Sequence, residues 1–338
     1  MEIMLKPHVD LYSGVWRALI HPDSQGNWFR SYTAMITRSA RLASELNIEL
    51  LCVGTEFVVA TQPSFSSSWR TVLDSIRQYY NGRLTYAANW NGAYAAGIAT
   101  PEFEQVDFWS QLDYIGIDSY FPLTDSPDEP LPLLSVAIAR MQNEAQRIGA
   151  VSSRFGKPVI ITEVGIQSVH GALSSPWDFS LGKVPGAAQE NGVQELYYRV
   201  TIDAMGNQPW CIGMFWWNWE SIPSTFASTN YTPRNKPAAT WLYKWYSGSG
   251  VGFALRVRPD NLHSGLVQSE RRLHVFAYCG MGLVSGVYLY SPDAECGGVP
   301  MAKMNRHLRP KGSEQKAETF SVLDNLYAFS NTFEASPP

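Results

Sequence analysis

Cysteine is scarce in this chain of 338 residues: Cys52, Cys211, Cys279 and Cys296 are the four, and no two stand at C-x-x-C spacing. A cysteine metal or redox motif of that type is therefore absent, and Cys52 and Cys211, inside apolar runs, read as packed thiols. Charge is sparse too, at 17% Asp, Glu, Lys and Arg with a net charge of −4. No basic patch of helical spacing offsets it, which argues against a nucleic-acid partner. Apolar runs are short, and none approaches the length of a membrane span, so no membrane partner is expected. Met1-Glu2-Ile3 does not open a signal peptide, which leaves the cytoplasm as the default location. Phosphate loops of the G-x-G-x-x-G or Walker type are missing. The six histidines are scattered, with none at ligand spacing from His8, so neither metal nor cofactor is expected. Apolar residues themselves are not lacking: 45% is ample for a core and argues against global disorder.

What is present is a pair of buried strands that end in carboxylates. Pro158–Gln167 is a short β-branched run bounded by Lys157-Pro158 and Gly165, and it delivers Glu163. Ile48–Phe57 has the same design and delivers Glu56. A carboxylate in such a place is costly unless it is hydrogen-bonded, paired or used. Two of them at the same strand end form the pattern of a glycosidase.

Around this pair the chain alternates. Ile3–Lys6, Leu84–Trp90, Tyr114–Phe121 and Cys211–Trp219 are further strands. Helical spacing marks Asn27–Asn47, Ser67–Tyr80, Leu134–Val151, Val193–Met205 and Pro237–Trp245, with a weaker segment around Phe103–Leu112. Such alternation implies βα units around a parallel sheet. Polar residues gather at the C-terminal strand ends: His8, Glu56, Asn89, Asp118, Glu163 and Asn218. In a (β/α)8 TIM-type barrel that end is the catalytic face, and a barrel over residues 1–247 is the expected fold. After Ser247 the pattern stops. Residues 248–338 read as an appendage of unknown role or a gene-model artefact, with strands at Arg272–Tyr278 and Gly286–Tyr290 and a polar, poorly patterned stretch from Gly297.

Glycoside hydrolysis needs two carboxyl groups flanking the bond, about 5–5.5 Å apart in a retaining enzyme. Glu56 and Glu163, three strands apart, could face each other across the barrel mouth. Either could instead be a structural partner of an Arg or Lys. Trp16, Trp90, Trp216, Trp217 and Trp219 suit stacking on sugar rings, though alternate residues of Phe215–Trp219 must face the helices. Neighbouring amides and phenols, Asn218 among them, suit sugar hydroxyls. Tyr120 could donate a hydrogen bond that keeps Glu163 ionised, and His8 could bond substrate or serve the fold. Glu220 lies too far toward its loop, and His170 reads as solvated.

These motifs resemble a known set. Leu5-Lys6-Pro7-His8-Val9-Asp10, Val53-Gly54-Thr55-Glu56, Asp113–Pro122, Thr162-Glu163-Val164-Gly165 and Gly213–Trp219 are similar to glycoside hydrolase family 113. The resemblance implies a retaining β-mannanase acting on a mannan or manno-oligosaccharide by double displacement, with Glu56 as acid/base and Glu163 as nucleophile. It also implies Asn89, Trp90, Asp118, Tyr120 and Trp217 in the substrate cleft. Thr55 stands where much of the wider clan has Asn before the acid/base. In the family the acid/base follows the fourth strand, whereas Glu56 follows the second visible here. The chain therefore reads as strands three to eight of an N-terminally truncated barrel, with unpaired edges at its first and last strands. The alternatives are a β-glycosidase of other specificity, an inactive fragment, a non-catalytic carbohydrate-binding barrel, or a metal-dependent barrel hydrolase, which the lack of a His/Asp cluster disfavours.

Overall fold

The computed structural model describes residues 2–220, 224–247 and 274–279. Its core is six parallel strands curled into a half-barrel: β1 (Glu2–Pro7), β2 (Leu50–Thr55), β3 (Arg83–Asn89), β4 (Tyr114–Asp118), β5 (Val159–Val164) and β6 (Cys211–Trp216). Each pairs with the next in chain order. Helices α1 (Asn27–Glu45), α2 (Ser66–Arg77), α4 (Leu134–Phe155), α5 (Asn191–Thr201) and α6 (Ala238–Ser247) follow successive strands, as the alternating pattern predicts. The weak segment after β3 resolves into a four-residue helix, α3 (Glu102–Gln105), and a 3-10 turn at Phe108–Gln111. The segment predicted as Val193–Met205 is α5 followed by a π-helical turn at Ile202–Gly206.

Period-3.6 patterning explains the helices. On α1 the buried residues are Phe29, Tyr32, Ile36, Ala40 and Ala43, one stripe facing the sheet. Its first turn is closed by the Asp23 carboxylate, which accepts N–H bonds from Asn27, Trp28 and Gln25. On α2, Trp69 is fully buried and stacks on Phe108 with ring centroids 5.0 Å apart, against the edge of Tyr86.

Period-2 patterning explains the strands, whose two faces enter different cores. Leu51, Val53, Leu84, Ile115, Ile161 and Met214 pack outward beneath the helices. Met4, Leu50, Cys52, Ala87, Ile160 and Phe215 form a smaller inner cluster. Cys52 and Cys211 are free thiols, pushed up to about 11 and about 12 by burial.

One expectation about the edges does not hold. His274–Cys279, inside the region read as an appendage, forms strand β7 parallel to β1, in register from Glu2 opposite His274 to Pro7 opposite Cys279. β1 is therefore a paired strand, and the outer strands of the sheet are β6 and β7. This pairing joins residues about 270 positions apart, a distance over which hydrophobic periodicity carries no information. The strand expected at Gly286–Tyr290 lies outside the described residues.

Candidate active site

Both carboxylates reach the barrel mouth through slips in strand register. Between β2 and β3 the pairing runs from Cys52 opposite Thr85 to Thr55 opposite Ala87, so β2 carries one extra residue just before Glu56. β5 carries one extra residue against β4, between Ile161 opposite Ile117 and Glu163 opposite Asp118. A bulge of this kind re-aims the side chains that follow it. Glu56 then adopts the left-handed region at φ 54°, and its N–H bonds Ala87 O at 2.9 Å. Gly165, just past β5, allows the Trp217 carbonyl to approach to where a Cβ would stand, 1.9 Å away.

Glu163 sits among donors. Lys6 Nζ donates to Glu163 Oε1 at 2.5 Å and to both Asp118 oxygens at 2.7 and 2.9 Å. The Tyr120 hydroxyl donates to Glu163 Oε2 at 2.8 Å. Thr162 Oγ1 donates to Asp118 Oδ1 at 2.7 Å. Burial works against the Lys6 charge, but Asp118 and Glu163 outweigh it, and its pKa is raised. Asp118 is pushed well up by burial and by the charge of Glu163, against the pull of Lys6. His8 Nε2 lies 3.6 Å from Glu163 Oε1. Burial, then the charges of Arg17 and Lys6, hold His8 well below its ordinary pKa, so it is a neutral imidazole at neutral pH.

Removing one partner from such a buried ionic cluster leaves an uncompensated charge. Lys6→Met is expected to destabilise the fold by about 3–5 kcal/mol. Chemical denaturation of the two proteins checks this, and an unchanged midpoint would refute it.

Glu56 is held differently. Asn89 Nδ2 donates to its Oε1 at 2.7 Å, while Arg17 Nη1 and Trp16 Nε1 donate to Oε2 at 3.1 and 3.2 Å. Arg17 is itself paired with Asp10. Thr55 is fully buried, and the amide beside Glu56 comes from Asn89 on the next strand.

The aromatic residues divide. Trp90 is half-buried, edge-on to Phe121 at 5.5 Å and tilted against Trp177 at 5.1 Å. Trp177, in the loop after β5, is 46% exposed. Trp217 packs on the inner cluster and is joined to the half-buried Asn218 by a cis peptide. Trp216 does not belong to the cleft. It stacks on Tyr198 of α5, with centroids 4.2 Å apart, because its parity on β6 turns it toward the helices. Glu220 bonds Ser224 and Asn230 within its own loop, and His170 is exposed beside Glu190, 3.2 Å away.

Three residues of this site went unnoticed in the sequence as site residues: Lys6, Arg17 and Trp177. Lys6 carried one signal, an inward position on β1 two residues before His8. Arg17 and Trp177 sit in loops with no periodicity to place them. Among the described residues, no group of three or more His, Cys, Asp and Glu is arranged to hold a metal ion.

A parallel half-barrel with two carboxylates and an aromatic wall at the C-terminal strand ends belongs to the class of barrel glycoside hydrolases. The model of Glycoside Hydrolase Family 113 matches residues 1–235, and the chain belongs to that family. Among solved structures it is similar to a GH113 beta-1,4-mannanase in a complex, at 25% identity and TM-score 0.58, covering 73% of this chain and 74% of that one. It is also similar to the GH113 beta-mannanase AaManA from Alicyclobacillus acidocaldarius in complex with ManMIm, at 26% identity and TM-score 0.59, covering 73% of each chain. No curated protein sequence matches the chain.

Proposed function

We propose that the chain is a retaining glycoside hydrolase that cleaves β-1,4-mannosidic bonds in mannan or manno-oligosaccharides, with Glu163 as nucleophile and Glu56 as acid/base. The observation that carries this reading is that two carboxylates are held by fixed donors at the same end of the sheet, one on β5 and one just past β2. Glu163 takes hydrogen bonds from the Lys6 ammonium and the Tyr120 hydroxyl, which fix its carboxyl group in place for attack. Glu56 lies at the mouth beside Trp16, the Arg17 guanidinium and the amide of Asn89. There it can give a proton to the leaving oxygen and later take one from water.

In the first step one negative charge passes from Glu163 to Glu56, whose proton goes to the leaving oxygen. Attack by Glu163 on the anomeric carbon converts a carboxylate into a neutral ester while the glycosidic bond breaks. Lys6 then keeps Asp118 as its counter-ion, so no bare ammonium is left in the interior. Hydrolysis of the ester by water restores the original cluster.

The mannose specificity rests on similarity to the two mannanases. Trp90 and Trp177 supply apolar faces suited to pyranose rings. Asn89 serves as the amide beside the acid/base that Thr55 cannot supply. Proton NMR of the first products from a manno-oligosaccharide tests both parts. Initial β-product is expected. Initial α-product would refute retention, and cleavage confined to glucosides or xylosides would refute the sugar while sparing the mechanism.

A further inference from the structure

Glu102 is a buried carboxyl to which the chemistry above gives no task. It stands on α3, fully buried, 46 residues beyond Glu56 and in contact with Asn89, which holds that residue. The Asn89 N–H donates to Glu102 Oε2 at 2.7 Å, and the same Asn89 uses its side-chain amide to hold Glu56 Oε1. The Tyr86 hydroxyl donates to Glu102 Oε1 at 2.6 Å and accepts the Phe57 N–H at 2.7 Å. Thr61 Oγ1 lies 2.8 Å from Glu102 Oε1, at the end of the turn that begins with Phe57. Gly54 completes the arrangement, because a Cβ there would stand 2.7 Å from the Tyr86 ring.

We infer that Glu102 is a positioning residue for the acid/base, gripping Glu56 from two sides at once. One side is the peptide that follows Glu56, held through Tyr86. The other is the amide on its carboxylate, held through the Asn89 backbone. Glu56 needs such support because its left-handed backbone is unfavourable for a side chain with a Cβ. Burial raises the Glu102 carboxyl to about 8, with the charge of Glu56 adding a smaller push. Near neutral pH it is therefore largely protonated. Thr61 Oγ1 donates to Glu102 Oε1 at 2.8 Å and also lies 3.3 Å from Val58 O. A neutral carboxyl holds the turn without placing a second full negative charge behind the acid.

This inference rests on the proposed acid/base role of Glu56, and its test separates the two. Tyr86→Phe and Glu102→Gln remove one link each with little change in volume, and Glu102→Leu removes the whole grip. Each is compared with the unaltered chain on a manno-oligosaccharide, which needs a proton, and on a dinitrophenyl β-mannoside, which does not. Tyr86→Phe and Glu102→Leu are expected to lower kcat/KM on the oligosaccharide by about tenfold or more. The aryl glycoside should change by less than about threefold. Glu102→Gln, which keeps an acceptor for Asn89, is expected to recover part of the loss. Equal losses on both substrates, or none, would overturn the positioning role.

A second readout does not require activity. The Glu56 carboxyl is titrated by carbon NMR with labelled glutamate, its signal assigned by its loss in Glu56→Gln. A changed Glu56 pKa in Tyr86→Phe supports the inference, and an unmoved one overturns it. If the unaltered chain cleaves no glycoside, the proposed function fails, and this titration decides the positioning role alone.

Discussion

Glu163→Gln is expected to abolish turnover while leaving the chain folded. Glutamine has nearly the shape of glutamate but no anionic oxygen to attack the anomeric carbon, so the covalent step is lost. A fall in kcat on the order of 10⁴ or more is expected on every substrate, whatever its leaving group. The fold survives because Lys6 keeps both bonds to Asp118, at 2.7 and 2.9 Å, and Tyr120 keeps an amide oxygen as acceptor. Reducing-sugar release and circular dichroism measure the two halves of this claim. Retention of more than about 1% of the rate by a correctly folded variant would remove Glu163 from the nucleophile role.

Glu56→Ala is expected to have a different signature, because in the proposed mechanism it removes the proton donor. A manno-oligosaccharide leaves as a poor alkoxide and should lose about 10²–10⁴ in kcat/KM. A dinitrophenyl glycoside leaves without protonation, and its first step should fall by less than about tenfold. The second step still lacks its base, so the covalent intermediate accumulates and a burst precedes slow turnover. Azide, an anion that needs no deprotonation, is expected to restore the rate and to give a β-glycosyl azide. Arg17 keeps Asp10 as counter-ion, so the substitution strands no charge. Uniform loss on both substrates, with no response to azide, would show that Glu56 is not the acid/base.

Much of the architecture was legible along the chain. Strands and helices announce themselves by local periods, so β1 to β6 and the long helices fall within a few residues of expectation. The side chain at each strand end is a local fact too, which is why Glu56, Asn89, Asp118 and Glu163 could be named before any contact was known. Tyr120 against Glu163 followed from the same reasoning, because both stand at the mouth on neighbouring strands.

What local period cannot carry is pairing between distant residues. Lys6 and Glu163 are 157 positions apart, and only strand order around the barrel brings the ammonium to the carboxylate. The register slips before Glu56 and Glu163 are differences between two strands, invisible in either one alone. Parity on β6 became certain only when Trp216 met Tyr198 and Trp217 met the inner cluster. The strand beside β1 was assigned by pairing, since its own alternation could not say where it belongs. Glu102 lies just before the weak segment expected around Phe103–Leu112, and only the fold brings it against Asn89, Tyr86 and Thr61, where burial pushes its carboxyl up to about 8. The sequence by itself determined which residues stand at the strand ends, because side-chain period is a property of neighbours. Tertiary structure decided which of them meet and in what charge state, because desolvation and Coulomb attraction depend on distance in space.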